Sequence, residues 1–199
     1  MIKAGDTIEN PVTGERIVFH KTSRETNGEL VVLECFVQPG GSVAAAHVHP
    51  HQSERFEILK GTLGFRLDGQ ETFASPGQRI LVPARMRHQF WNAGDDEAHF
   101  VCEVRPAMQF EALLETMFAL AADGKTNRKG MPNPLRLAVI ARHHFDDVRL
   151  PFPPVWMQRT GLALGAPLGR LLGFRPDYVP TEAGDLVPAE AGDLVPAAA

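Results

Sequence analysis

The sequence is poor in cysteine: Cys35 and Cys102 are the only two among 199 residues, and both sit inside apolar runs. That excludes a disulfide framework in practice and makes a reducing, cytoplasmic setting the expectation. There is no excess of positive charge either, with 20 Lys+Arg against 24 Asp+Glu and a formal net charge of -4. Phosphate binding needs a basic surface, so no nucleic-acid partner is expected. No apolar run approaches the roughly 20 residues that a membrane helix requires, so membrane insertion is not expected. The opening Met1-Ile2-Lys3-Ala4-Gly5-Asp6 lacks an apolar signal core, so export is not expected. No P-loop, dinucleotide fingerprint or Gly-x-Ser-x-Gly elbow occurs, which leaves nucleotide-cofactor and serine-hydrolase chemistry without support.

What is present falls into three zones. Residues 1–106 alternate short β-prone runs with turn signals: Arg16 to Phe19, Leu30 to Val37, Phe56 to Leu59, Leu63 to Leu67, Ile80 to Val82 and His99 to Val104. Asp68-Gly69 between two such runs is a two-residue hairpin signal, since both positions tolerate positive φ. Regular short strands of this kind predict a sandwich or barrel. Residues 107–178 read as helical. Phe110 to Leu120 is apolar at helical spacing and stops at Asp123-Gly124; a second helix opens at Asn133-Pro134 and runs to about His144. After Pro151-Phe152-Pro153-Pro154, glycines at 161, 165, 169 and 173 mark one helical face, expected to pack closely on the β domain. Residues 179–199 contain the octapeptide Glu182 to Ala189, repeated identically as Glu190 to Ala197; two copies cannot build a solenoid, and a flexible tail is expected.

The chemistry concentrates in two stretches. Gly41 to Gly61 carries G-x5-H-x-H-x4-E-x6-G through His47, His49 and Glu54. Fifteen residues on, Gly77 to Asn92 carries G-x5-P-x4-H-x3-N through Pro83 and His88. In these motifs the chain resembles the cupin superfamily. The one departure is Arg85, where the family's second motif usually has Gly. The resemblance covers Gly41 to Asn92 directly and implies a mainly β fold: a double-stranded β-helix, or jelly-roll barrel, here followed by a C-terminal α-helical extension. It also implies one divalent transition metal per chain, bound by the residues matching His47, His49, Glu54 and His88.

Side-chain alternation agrees with that ligand set. His47 and His49 point to one side of an extended segment, Glu54 is in phase with Phe56 and Ile58, and His88 is in phase with Phe90 and Asn92. Three imidazoles and a carboxylate turned into a barrel need partners, and one ion satisfies all four. Imidazole plus carboxylate suits Fe, Mn, Ni, Cu or Zn without choosing among them. The expected function is that of a mononuclear metal-dependent enzyme of dioxygenase or oxygenase type, acting on a small, partly apolar organic molecule. Glu54 is its candidate catalytic group, and Phe56, Phe65, Met86 and Phe90 are its candidate pocket walls. The alternatives are a metal-dependent isomerase, cyclase or decarboxylase, and a non-catalytic small-molecule-binding cupin.

Other polar residues receive plainer readings. His51 is outranked as a ligand by the motif spacing. His143-His144 with Asp146-Asp147 reads as a solvated helix end, and Cys102 as a buried core thiol away from the cavity. His20 and His99 read as surface or hydrogen-bonded histidines. Arg85 and Arg87 could meet an anionic ligand at the mouth or sit solvated on the turn. The apolar face at Leu113, Leu114, Met117 and Leu120 exceeds what one barrel face needs, which suggests a homodimer interface.

Overall fold

A computed structural model describes residues 2–43 and 45–179, so the octapeptide repeat lies outside the described residues. Ten strands come first: β1 (Thr7–Asn10), β2 (Glu15–Lys21), β3 (Val31–Val37), β4 (His47–Val48), β5 (Ser53–Lys60), β6 (Leu63–Leu67), β7 (Gln70–Ala74), β8 (Arg79–Val82), β9 (Arg87–Asn92) and β10 (Ala98–Arg105). They form two antiparallel sheets, one ordered β1-β2-β3-β10-β5-β8 and the other β4-β9-β6-β7. Alternation along the strands explains why these segments pair this way. Val31, Leu33, Cys35 and Val37 of β3 are buried, as are Ala98, Phe100, Cys102 and Val104 of β10, with more exposed residues between them. The inward faces share one core that includes Phe56, Phe65 and Phe100. Each such ring contributes on the order of 1.5–3 kcal/mol by leaving water. Asp68 and Gly69 take φ of 47° and 92° and close the β6–β7 hairpin, pairing Leu67 with Gln70. This is the β barrel that the resemblance implies.

Three helices follow: α1 (Phe110–Ala122), α2 (Pro134–His143) and α3 (Val155–Leu171). Asn133 caps α2 as its composition predicts, its Oδ1 accepting from the Leu135 N–H at 2.9 Å. On the apolar face of α1, Leu113, Leu114 and Met117 line a cavity and Leu120 is fully buried. The glycine stripe also differs from expectation. Two of its members, Gly165 and Gly169, pack α3 on α2 and not on the β domain: a Cβ on Gly169 would fall 2.5 Å from the Leu135 carbonyl oxygen and 2.7 Å from Val139, and one on Gly165 3.2 Å from Ala138, whereas Gly161 and Gly173 have nothing within 4 Å. Among the described residues no helix is long and apolar enough to cross a membrane.

Candidate metal centre

The two sheets meet at a cluster of polar side chains. His47 on β4 and His88 on β9 are directly paired across the smaller sheet. His49 follows β4, and Glu54 reaches in from β5 on the larger sheet, in phase with buried Phe56 and Ile58. One ligand atom from each of the four lies within 4.8 Å of all the others. His49, Glu54 and His88 are at most 4% exposed.

The imidazoles are held in one tautomer by the backbone. Nδ1 of His47 donates to the Ala45 carbonyl at 2.9 Å, Nδ1 of His88 to Met86 at 3.1 Å, and Nδ1 of His49 to Asp147 at 2.6 Å. A nitrogen beside a carbonyl oxygen must carry the proton, so each Nε2 is left as an unprotonated lone pair. His88 Nε2 stands 2.7 Å and His49 Nε2 3.6 Å from the Glu54 carboxylate. Yet neither nitrogen, nor Glu54 Oε2, makes an aligned hydrogen bond, although all three atoms are buried. Buried polar atoms without partners are costly. A divalent ion, with metal–nitrogen distances near 2.0–2.1 Å, would satisfy all of them, so the residues fit the group that the motif implies.

Electrostatics inside the cluster follow from crowding. Burial, then the charges of His49 and His88, push His47 down to about 3. Burial works to raise Glu54, but His49, His88 and His47 outweigh it and carry the carboxyl down to about 2. His88 moves up despite its burial, because Glu54 adjoins it.

The cluster opens on a cavity of about 500 Å³ walled by barrel residues including Phe56, Phe90 and Phe100 and roofed by all three helices. The Phe110 ring of α1 stands edge to face with the His49 ring, their centroids 5.5 Å apart. Phe65 and Met86, expected as walls, are not among the lining residues. Phe65 is fully buried, 5.1 Å from Phe56 and 6.4 Å from Phe90 by ring centroids, while Met86 packs half-buried against the core. Cys102 departs from expectation in the opposite sense: it lines the cavity, as does Cys35. Burial holds both thiols far above their ordinary range.

Three features around the site were missed in the sequence. Glu15 lines the cavity, and burial pushes its carboxyl up to about 7, with the Thr13 hydroxyl pulling the other way. Its signal was available, since Glu15 is in phase with inward Ile17 and Phe19 on β2. Asp147 had no such signal. Besides holding His49 through its backbone, it accepts from the Gln109 N–H at 2.9 Å and places Oδ2 3.3 Å from His144 Nδ1. His144 and Asp147 are therefore buried, at 0% and 3% exposure, and are not the solvated helix end that the sequence suggested. Arg149 is the third: its backbone pairs with Val48 through two bonds of 2.9 Å, closing the helical extension onto the ligand segment.

The remaining candidates lie elsewhere. His51 is exposed, 4.0 Å from Asp146. His20 and His99 both hold Glu34, each at 2.6 Å, as hydrogen-bonded histidines. Arg85 and Arg87 are exposed. Arg85 takes φ of 72°, which accounts for the family's Gly at this position, and its N–H donates to the His49 carbonyl at 2.7 Å.

Residues 33–104 match the profile of the cupin domain. A protein named polyketide synthase CurC from Streptomyces cyaneus is 34% identical over 70 residues, which are 35% of this chain and 45% of that protein. Protein SchB from Streptomyces halstedii is 33% identical over 85 residues, 43% of this chain and 59% of the other. The chain thus spans about half the length of these curated relatives. Among solved structures, KdgF from a Halomonas species superposes with a TM-score of 0.46 at 14% identity, covering 52% of this chain and 89% of that one. An RmlC-like cupin from Shewanella frigidimarina gives 0.46 at 17% identity, covering 56% and 93%.

Proposed function

We propose, for a chain whose residues 33–104 are a cupin domain, a metal-dependent enzyme acting on a small, partly apolar molecule that carries carbonyl or phenolic oxygens. The observation that carries this reading is the position of the quartet: His47, His49 and Glu54 form part of the wall of an otherwise largely apolar cavity of about 500 Å³. That is the usual build of a small-molecule site, apolar walls with a few convergent polar groups. A divalent ion held by His47, His49, Glu54 and His88 would supply Lewis acidity toward a ligand oxygen, or a redox centre if it is Fe or Cu.

The chain's own residues do the rest. The Nδ1–carbonyl bonds orient the three imidazoles before any ligand arrives. Phe56, Phe90 and Phe110 orient a flat apolar body and exclude water. Glu54, held at about 2, is ionised throughout the neutral range and serves better as a ligand than as a base. The second carboxyl of the cavity, Glu15 at about 7, is fitted to take up and return a proton near neutral pH.

Two reaction types use such a site. The relative named a polyketide synthase supports redox-neutral carbonyl chemistry, such as cyclisation or isomerisation of a poly-carbonyl substrate. The nitrogen-rich ligand set supports the oxygenase reading, because it suits Fe and Cu as well as Zn. The test begins with elemental analysis of natively purified protein and 1-naphthol binding by fluorescence, before and after metal removal. Metal-dependent binding that His88→Ala abolishes is the expected result; absence of metal uptake on reconstitution overturns the reading. Turnover of poly-carbonyl compounds under nitrogen then separates the reaction types, since only an oxygenase stops without O2.

A further inference from the structure

The end of α2 carries a second group of ligand-type side chains, remote in sequence from the quartet. His143, His144 and Asp177 each offer one atom, and these atoms lie within 4.8 Å of one another. Their surroundings make the grouping more than a coincidence of surface residues. His144 is 0% exposed, and with Nδ1 directed at Asp147 its remaining nitrogen, Nε2, is buried without a hydrogen-bond partner. A buried imidazole whose free nitrogen meets neither protein nor solvent is an expense that folded chains avoid unless something binds there. The two rings stand edge to face with centroids 4.8 Å apart, so their nitrogens are not stacked against each other. Asp177 supplies the negative charge that the imidazoles lack, and it makes no direct ion pair with either ring among the described residues. His143 and Asp177 are exposed, which leaves an approach for a hydrated ion.

We propose that His143, His144 and Asp177 form a second, structural divalent-metal site, of the chemical class that takes Zn²⁺. Two neutral imidazoles and one carboxylate are a borderline-soft set, completed to four-coordination by water. The ion would fasten the segment after α3 to the C-terminal end of α2. That segment already leans inward: the Tyr178 N–H donates to Thr116 of α1 at 3.3 Å, and the Arg136 guanidinium stands 4.5 Å from the Phe174 ring. His144 in turn touches Asp147, whose carbonyl orients His49. His144 itself lines the cavity, so the second ion would brace the roof from one of its own wall residues.

Zn²⁺ uptake by the metal-stripped chain of 199 residues tests this without any assumption about substrate. Equilibrium dialysis against buffered Zn²⁺ with elemental analysis should give two ions per wild-type chain. Asp177→Asn and His143→Ala should each hold one, and the pair His47→Ala with His88→Ala should also hold one. Zn²⁺ should still raise the melting temperature of the quartet variant, and this rise should vanish when Asp177→Asn is added. A wild type that saturates at one ion lost with the quartet variant overturns the inference, as does an Asp177→Asn chain that still holds two. A wild type that holds one ion, lost with Asp177→Asn and kept by the quartet variant, supports the second site and overturns the proposed function instead.

Discussion

Replacing Glu15 by Gln should make the stability of the protein less dependent on pH, and the size of the effect follows from where the carboxyl sits. Burial against the cavity wall moves its acidity from 4.5 to about 7. In the unfolded chain the group ionises near 4.5; in the folded chain it keeps its proton until about 7. Between those values the native state holds a proton that the unfolded state has lost, so stability is complete below about pH 4.5 and falls as pH rises, levelling off above 7. At roughly 1.4 kcal/mol per unit the shift sets a ceiling of about 3 kcal/mol. Solvent that still reaches the half-buried side chain reduces it to roughly 1.5–3 kcal/mol. The amide in Glu15→Gln has the same shape and no titration, so the variant should gain that much relative to wild type between pH 4 and pH 8. For a chain of this size the gain corresponds to roughly 4–10 °C in melting temperature. Urea unfolding at half-unit pH steps, with metal removed from both proteins so that the quartet cancels in the difference, reads the effect directly. A difference between the two proteins that stays flat from pH 4 to pH 8 would refute both the burial argument and the proton-carrying role given to Glu15.

Four further outcomes are expected. Arg85→Gly should stabilise by up to about 1 kcal/mol, since the left-handed backbone there costs an L side chain roughly 1–2 kcal/mol, partly offset by the greater unfolded-state entropy of Gly; an unchanged denaturation midpoint counts against strain at that turn. Gly169→Val should force α2 and α3 apart and cost on the order of 1–3 kcal/mol, read by chemical denaturation, whereas Gly161→Val should cost little because nothing lies within 4 Å of its Cβ position. Asp147→Ala leaves the carbonyl on His49 but releases Gln109 and His144, and should weaken metal affinity about 10- to 100-fold, the usual effect of an altered outer shell; competition with a fluorescent chelator measures it. Glu34→Gln should flatten stability in acid: His20 and His99 hold that carboxyl below its usual range despite its partial burial. Its contribution is therefore present above about pH 4.5 and lost as pH falls further, and melts below that pH check the sign.

The barrel was legible because its strands are half-buried, and alternation survives in the sequence wherever one face is wet. Runs such as Val31 to Val37 and Ala98 to Arg105 record their inward phase residue by residue. The quartet was legible for a related reason: its members sit at the fixed offsets of the motifs that carry the family resemblance, and the strands bring them together. Short β1 and two-residue β4 left no such trace, since their order comes from pairing with partners and not from their own composition. Asp147 was out of reach in principle. What it contributes to His49 is a backbone carbonyl 98 positions away, and any residue type could supply that. The α1 face was legible as apolar, but its place on the cavity wall was not, because amphipathicity says that a face is covered and not by what. Glu15 was a different kind of miss: its phase with Ile17 and Phe19 was visible, and an acid in a buried register was the anomaly to pursue.

The link from His49 to Asp147 bears on how freely the two halves of this chain can be recombined. Two of the three imidazoles take their orientation from carbonyls within two positions of themselves, and so would travel with the barrel into any new context. The third takes its orientation from the turn after α2, and Arg149 two residues later pairs with Val48 between two of the histidines. A barrel grafted without its helices would carry every ligand side chain and still leave one ring free to swing. Changes in the helices that reshape the roof must therefore preserve this one turn, while the rest of the roof is free to vary with the molecule it encloses.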